Sequence, residues 1–130
     1  MKTSELQGAA LDWAVAKCER HEVFTRPIAN AQHKYWVGIV THDYQTSREG
    51  PFMPSEQWAQ GGPIIEREKI ALNVESGDPW RARFGRPRLT FDGRATNYHH
   101  RDGPTPLIAA MRCYVASKLG DEVEIPEELL

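Results

Sequence analysis

Apolar residues near the start of the chain recur at helical spacing and predict a long helix over residues 4–20. Ser4 and Gln7 have the spacing of a capping box, in which each side chain satisfies a free main-chain N–H at the helix start. The apolar positions cover most of the circumference, and a helix of this kind usually packs against more than one neighbour. The polar side chains on the remaining face recur every seven residues, at Glu5, Asp12 and Glu19.

A second helix is predicted near the other end of the chain, where its boundary signals are local. Thr105 fits the N-cap, and Pro106 fits the first helical position because its missing N–H is not needed there. Apolar residues follow at helical spacing up to Leu119, and Gly120 is a typical C-terminal breaker. Residues 121–130 hold five acids and no base. We therefore expect one domain over residues 1–120, followed by an acidic tail over residues 121–130.

Four segments in the middle of the chain have the composition or the period of β-strands. Residues 35–41 are rich in aromatic and β-branched side chains, and residues 70–74 alternate between polar and apolar. Residues 80–84 and 88–91 alternate on either side of a turn at residues 85–87, which predicts a hairpin with aromatics on one face and arginines on the other. The predicted loops are residues 21–34, 42–54 and 92–104.

A short helical turn is predicted between the first two strands. Ser55 is placed to cap a turn that runs through Gln60. Gly61 supplies the left-handed residue that commonly ends a helix, and Pro63 argues against continuation. The stretch therefore predicts a brief helix that stops at the two glycines.

Strands bracketed by helices predict an α+β protein, with a small, mostly antiparallel sheet of about four strands and the N-terminal and C-terminal helices packed on it. The 130 residues are 40% hydrophobic and 26% charged, which suits one hydrophobic core. Cys18 and Cys113 fall in apolar helical stretches and are interpreted as reduced core residues. The net charge of -2 gives no strong attraction to nucleic acid or acidic membranes. Without a leader or a long apolar run, the chain is expected to be cytoplasmic, with no membrane partner.

Four segments of the chain resemble, in the same order, the motifs of the NinX-like family of phage and prophage proteins. They are residues 3–16, 58–66, 80–82 and 103–112. The second is the most specific of them, because it combines a tryptophan, two glycines and a proline at fixed spacing. The resemblance implies a phage or prophage origin and the cytoplasm of a bacterial host cell. It implies no activity and no catalytic residues.

Glycines, arginines and tryptophans supply the candidate ligand chemistry. Adjacent glycines could direct successive N–H groups into an anion-binding concavity, but a helix stop followed by a tight turn is the favoured interpretation. Arginines on a rigid hairpin suit a phosphate or carboxylate, and a solvated sheet face is the alternative. The tryptophans suit either core packing or a stacking wall for a flat ligand. The candidate ligand-binding residues are Trp58, Gly61, Gly62, Trp80, Arg81, Arg83 and Arg88.

Acid–base and metal chemistry have less support. His99, His100 and Asp102 could ligate a metal or exchange protons, but a polar loop explains them and no third His or Cys stands nearby. Glu66 belongs to a charge cluster beside a strand. No catalytic residue, metal ligand or cofactor is predicted.

The expected function is non-enzymatic binding of a small anionic ligand such as a nucleotide. One alternative is a module that binds a host protein. Another is nucleic-acid binding through the basic hairpin, against which the net charge of -2 argues. A small hydrolase using His99, His100 or Glu66 ranks last, because no nucleophile–base–orienter pattern is present. The sequence leaves the oligomeric state open, a homo-oligomer included.

Overall fold

The computed structural model describes residues 1–29, 34–74, 77, 79–85, 88–94 and 100–130. Within these residues the α-helices are α1 (Gly8–Cys18), α2 (Trp58–Glu68) and α3 (Pro106–Leu119), and short 3-10 helices span Thr3–Glu5 and Glu127–Leu129. The strands are β1 (Glu22–Pro27), β2 (Tyr35–His42), β3 (Ser47–Pro51), β4 (Ala71–Val74), β5 (Trp80–Arg83) and β6 (Arg101–Gly103). The α+β class and the antiparallel pairing are confirmed, with the described strands divided between two three-stranded sheets.

The first sheet has the order β1-β2-β3, and both strand pairs are antiparallel. α1 packs against β1 and β2, and Val37 and Ile39 of β2 are buried. The prediction of loops over residues 21–34 and 42–54 is wrong where β1 and β3 form. β3 has no large apolar side chain. It is an edge strand that is held by its antiparallel main-chain pairing with β2. An apolar pattern cannot reveal such a strand.

The second sheet has the order β4-β5-β6. The predicted hairpin between residues 80–84 and 88–91 is wrong, because β5 pairs with β4 on one side and with β6 on the other. β6 falls in a segment that was predicted to be a loop. Arg86 and Pro87 of the predicted turn lie outside the described residues.

The predicted separation of faces along β5 is confirmed. Trp80 and Ala82 pack against the hydrophobic core, and Phe84 follows them on the same side. Arg81 and Arg83 occupy the alternate positions, whose side chains point to the opposite face of a strand. The sequence pattern therefore gave the face of each side chain correctly, although it gave the wrong partner strand.

α1 begins four residues later than predicted, at Gly8. Ser4 lies in the preceding 3-10 helix, and the N-cap residue Gln7 makes no side-chain capping bond, so the predicted capping box does not form. Gly8 has a φ of +56°, a conformation that L side chains rarely adopt. The backbone turn at the helix start therefore explains the glycine.

α2 continues through the glycines that were predicted to end a helix. It starts at Trp58, and the N–H of Gly61 donates to the carbonyl of Gln57 at 2.9 Å, as in an ordinary first turn. The left-handed residue that ends the helix is Lys69, with a φ of +56°. Ser55 does not cap α2, and its main-chain N–H donates instead to a carboxylate of α1.

α3 confirms its predicted boundaries. The Thr105 hydroxyl accepts from the N–H of Ile108 at 3.1 Å, Pro106 is the first helical residue, and Gly120 follows with a φ of +86°. α1, α2, β5 and β6 all pack against α3, which makes it the centre of the core.

The remaining predictions about the core concern the cysteines and the tail. Cys18 and Cys113 are buried and free, as predicted. The last ten residues return to the body of the protein, where Val123, Ile125 and Leu129 pack against the core. No helix in the described part of the chain is long and apolar enough to cross a membrane.

Candidate functional site

A cleft of about 760 Å³ opens where the N-terminal 3-10 helix, β6 and the segment after α3 meet. Both chain ends help to build it. The Thr3 hydroxyl donates to the carbonyl of Gly120 at 2.7 Å, and the Met1 ammonium donates to the carbonyl of Val123 at 3.0 Å. The charged and titratable side chains that line the cleft are Lys2, His100, Arg101, Asp102, Arg112, Asp121 and Glu122.

One wall of the cleft depends on a close approach between β6 and α3. A Cβ atom on Gly103 would lie 2.7 Å from the main-chain nitrogen of Ala109, so a larger residue does not fit without movement. This contact brings Arg112, one turn further along α3, within reach of β6. Its Nη1 donates to the carbonyl of Asp102 at 2.9 Å.

Arg112 is a half-buried cation held by main-chain carbonyls. Besides the bond to Asp102, its Nε donates to the carbonyl of Leu6 at 2.7 Å. Within the described part of the chain, no carboxylate forms an ion pair with it. Burial lowers the pKa of Arg112, because desolvation disfavours the charged form. A guanidinium has five N–H donors, and these two bonds leave others for a ligand in the cleft.

Several of the other charges of the cleft are arranged as ion pairs. Arg81 faces Asp102 across the β5–β6 pair, and its Nε lies 3.3 Å from a carboxylate oxygen. His100 Nε2 lies 3.6 Å from the same oxygen, which is too far for a direct hydrogen bond. Arg101 pairs with Asp121 at 2.7 Å. Asp102 and Asp121 thus already have cationic partners.

Comparison with known protein families decides the family of the chain. The model described as Bacteriophage P22, NinX matches residues 2–118, which is nearly the whole sequence. The chain belongs to the phage P22 NinX family. The resemblance inferred from the four sequence motifs is therefore confirmed. A search among curated proteins found no match.

The NinX motif at residues 80–82 lies beside the cleft. Trp80 is half-buried against the core, with its main chain opposite Gly103. Arg81 contacts Asp102, as described above. Arg83, at the end of β5, is exposed.

Arg88 is engaged elsewhere. Its two terminal nitrogens donate to the carboxylate and to the carbonyl of Glu68, at 2.7 and 2.8 Å, and its guanidinium stacks 3.9 Å from the ring centre of Phe84. These contacts fix it at the last turn of α2. Trp58 is the first residue of the same helix, about 15 Å away along an axis that rises about 1.5 Å per residue. The structure therefore does not bring Arg88 and Trp58 to one place.

The three candidates from the central motif have different surroundings. Gly61 faces inward, where an added Cβ would lie 2.4 Å from the carbonyl oxygen of Pro54 and 2.7 Å from a methyl of Leu107. Its N–H is used within the helix. Gly62 is half-buried, beside Trp58, whose side chain is 54% exposed. Whether these residues bind a ligand stays a prediction.

His99 lies outside the described residues. His100 and Asp102 line the cleft together, and Glu66 is exposed on α2. Among the residues that the structure describes, no group of three His, Cys, Asp or Glu side chains could hold a metal ion. Burial raises the pKa of both cysteine thiols to about 12, so they are poor nucleophiles near neutral pH.

Asp12 is a buried acid that sequence reasoning placed on the polar face of α1. It is 3% exposed, and its Oδ1 accepts from the N–H of Ser55 at 2.9 Å. Burial raises its pKa to about 7, an effect that hydrogen bonding from Ser55 offsets only in part. The bond ties α1 to the segment before α2, and its interior position indicates a structural role.

Glu19, the residue that follows α1, links that helix to α2 and α3. Glu19 accepts from two nitrogens of Arg67, at 2.9 and 2.7 Å, and from the Tyr114 hydroxyl at 2.5 Å. Desolvation favours the neutral carboxyl, but these hydrogen bonds outweigh it and lower the pKa of Glu19. The same contacts raise the pKa of Arg67. The cluster has its own counter-ions and is complete without a ligand.

Proposed function

We propose that this member of the NinX family binds a small anionic ligand, such as a nucleotide, in the cleft between the N-terminal 3-10 helix, β6 and α3. The observation that carries the proposal is the charge of Arg112. A half-buried cation is normally matched by an acid, because desolvation makes an unmatched charge costly. Here the described residues give Arg112 two carbonyls and no carboxylate. A phosphate or carboxylate in the cleft would supply the missing charge.

The fixed geometry of Arg112 favours an anion with more than one oxygen. Two bonds to the main chain hold the guanidinium plane in one orientation, so little side-chain freedom remains to be lost on binding. The planar fork matches two oxygens of a phosphate or a carboxylate. Lys2 adds a second cation at the rim.

The size and the remaining polar groups of the cleft favour an organic ligand over an inorganic ion. Its volume of about 760 Å³ falls within the range of about 300–1,000 Å³ typical of small-molecule sites. Asp121 and Glu122 also line it and can accept hydrogen bonds from hydroxyl or amino groups. A mononucleotide offers both kinds of group, with an anionic end for Arg112 and donors on the sugar and base.

The test is a thermal-shift screen of the pure protein against mononucleotides, cyclic nucleotides and nucleotide sugars, followed by calorimetric titration of any compound that stabilises it. A ligand at about one hundred times its dissociation constant adds about 2.7 kcal/mol of stability. Arg112→Lys keeps the positive charge but removes the fork, and we expect it to weaken binding about tenfold or more. Lys2→Glu reverses a charge at the rim and should also weaken binding.

Arg94→Gln is the matched control, because Arg94 is highly exposed and pairs with Asp92 away from the cleft residues. It should bind like the unmodified protein. Equal affinity in all three variants would show that the ligand binds outside the cleft. If none of the compounds stabilises the unmodified protein, the proposal of a small anionic ligand fails.

A further inference from the structure

The solvent-facing side of α2 carries an unusual set of residues for a surface helix. Trp58, Gly62 and Glu66 recur every four residues and therefore form one stripe, with Ala59 and Pro63 beside it. All but the half-buried Gly62 are exposed. We call these five residues the α2 stripe.

The fold gives no reason for the glycine and the proline of the α2 stripe. A Cβ on Gly62 would meet only a Trp58 ring carbon, at an ordinary distance of 3.9 Å, and Gly62 is not among the residues with positive φ. Pro63 lies inside the helix, where it removes a main-chain hydrogen bond and disfavours helical geometry. The neighbouring Gly61, in contrast, is required by a close approach to Pro54. The two residues of the stripe thus weaken α2 without improving its packing.

The chemistry of the α2 stripe is suited to a positively charged partner. The exposed ring of Trp58 can hold a cation over its face. Because Pro63 has no N–H, the carbonyl of Ala59 lacks its usual donor four residues ahead and can accept from outside the helix. Glu66 in the stripe and Glu56 before the helix are exposed carboxylates, and neither forms an ion pair within the described residues. Gly62 lets another backbone approach between them.

We propose that the α2 stripe is a docking surface for a basic segment of another protein, with an arginine or lysine of that segment stacked on Trp58 and paired with Glu66. The inference is independent of the small ligand proposed for the cleft. Charge complementarity identifies the partner, since the Trp58 ring, the Glu66 carboxylate and the carbonyl of Ala59 each attract a cation or an N–H donor. An arginine fits better than a lysine, because its planar guanidinium stacks on an indole and still donates at its edges.

The first test uses an alanine-based helical peptide of about 15 residues with arginines at every fourth position, and a matched peptide with glutamates instead. The whole isotope-labelled chain is titrated with each peptide and followed by NMR. We expect the indole N–H of Trp58 and the amides of Ala59, Gly62 and Glu66 to shift with the arginine peptide. No shift is expected with the glutamate peptide.

Variants then locate the binding. Trp58→Ala and Glu66→Lys should each weaken binding of the arginine peptide about tenfold, as expected for the loss of a cation–π contact or an ion pair at a docking site. Glu124→Lys is the matched control, because it makes the same charge change at an exposed residue outside α2. Equal weakening by Glu66→Lys and Glu124→Lys would indicate non-specific attraction and overturn the proposal.

The claim that the fold does not need Gly62 can be tested separately, by the melting temperature of a variant. If the fold does not need Gly62, then Gly62→Ala must leave the melting temperature unchanged or raise it, and a lower melting temperature would contradict the argument. Shifts at the α2 stripe that depend on protein concentration without peptide would show that a second copy of this chain covers it. That result, or the absence of shifts with the arginine peptide, would overturn the assignment of a basic partner.

Discussion

The buried carboxyl of Asp12 makes the stability of the protein depend on pH in a way that one substitution can isolate. Asp12 is 3% exposed, and burial raises its pKa from the ordinary 3.8 to about 7. The folded state therefore holds a proton that the unfolded chain releases near pH 4. Since one pKa unit corresponds to about 1.4 kcal/mol, the difference amounts to about 4 kcal/mol.

The sign of the effect follows from the raised pKa. The contribution of Asp12 to stability is fully present below about pH 4, is lost progressively as the pH rises towards about 7, and does not change further above that. Asp12→Asn removes the titration, and its amide oxygen can still accept from the N–H of Ser55. At about pH 8.5 we expect the variant to unfold at a higher urea concentration than the unmodified protein. Its free energy of unfolding should be higher by up to about 4 kcal/mol.

The assay is urea unfolding of both proteins at several values between about pH 4.5 and about pH 8.5. The difference between the two curves is the useful quantity, because other titrating groups contribute equally to both and cancel. It should be small at the acid end and grow as the pH rises towards about 7. Parallel curves, or a variant that is less stable at about pH 8.5, would refute the account of Asp12 as a buried acid that favours its neutral form.

Three further predictions concern packing, capping and reactivity. Gly61→Ala should destabilise the protein by about 2 kcal/mol, because the added Cβ would meet the carbonyl of Pro54. Gly62→Ala should stabilise it by about 0.5–1 kcal/mol, because alanine favours the helix and has room there. Chemical unfolding of the two variants measures both changes. Thr105→Ala should lower the free energy of unfolding by about 1 kcal/mol, and Thr105→Ser should restore most of it. Both cysteines should react slowly with a thiol reagent at neutral pH unless urea is present, and rapid native-state labelling would contradict their burial.

The helices show which parts of the fold the sequence could predict. α3 was predicted to the residue, because its cap, its first proline and its terminal glycine act within a few positions of one another. The extent of α2 was not predicted, because Gly61 is a glycine for a reason that lies outside the helix. Pro54 and Leu107 pack so closely against it that a side chain has no room. A glycine required by packing and a glycine that ends a helix look the same in a sequence.

The acids and arginines show why the site could not be predicted. Asp12 follows a seven-residue repeat of polar positions that indicated an exposed face, but the chain around α1 encloses it. Arg112 was noted only as the end of a helical motif. The contact that places Arg112 in the cleft is a hydrogen bond to the carbonyl of Leu6, 106 residues away in the sequence. No local sequence pattern indicates such a contact. The predicted hairpin likewise failed because strand pairing is a long-range property.

Comparison of similar residues within the structure separates the requirements of the fold from those of a function. Arg88 and Arg112 are both half-buried arginines, but Glu68 neutralises Arg88, and Phe84 covers it. Within the described residues, Arg112 has neither an acid nor a ring. Because an unmatched half-buried charge reduces stability, the contrast between the two arginines supports the proposal of an anionic ligand in the cleft. The same reasoning distinguishes Gly62 from its neighbour on α2, and this second contrast supports the proposal of a partner on that helix.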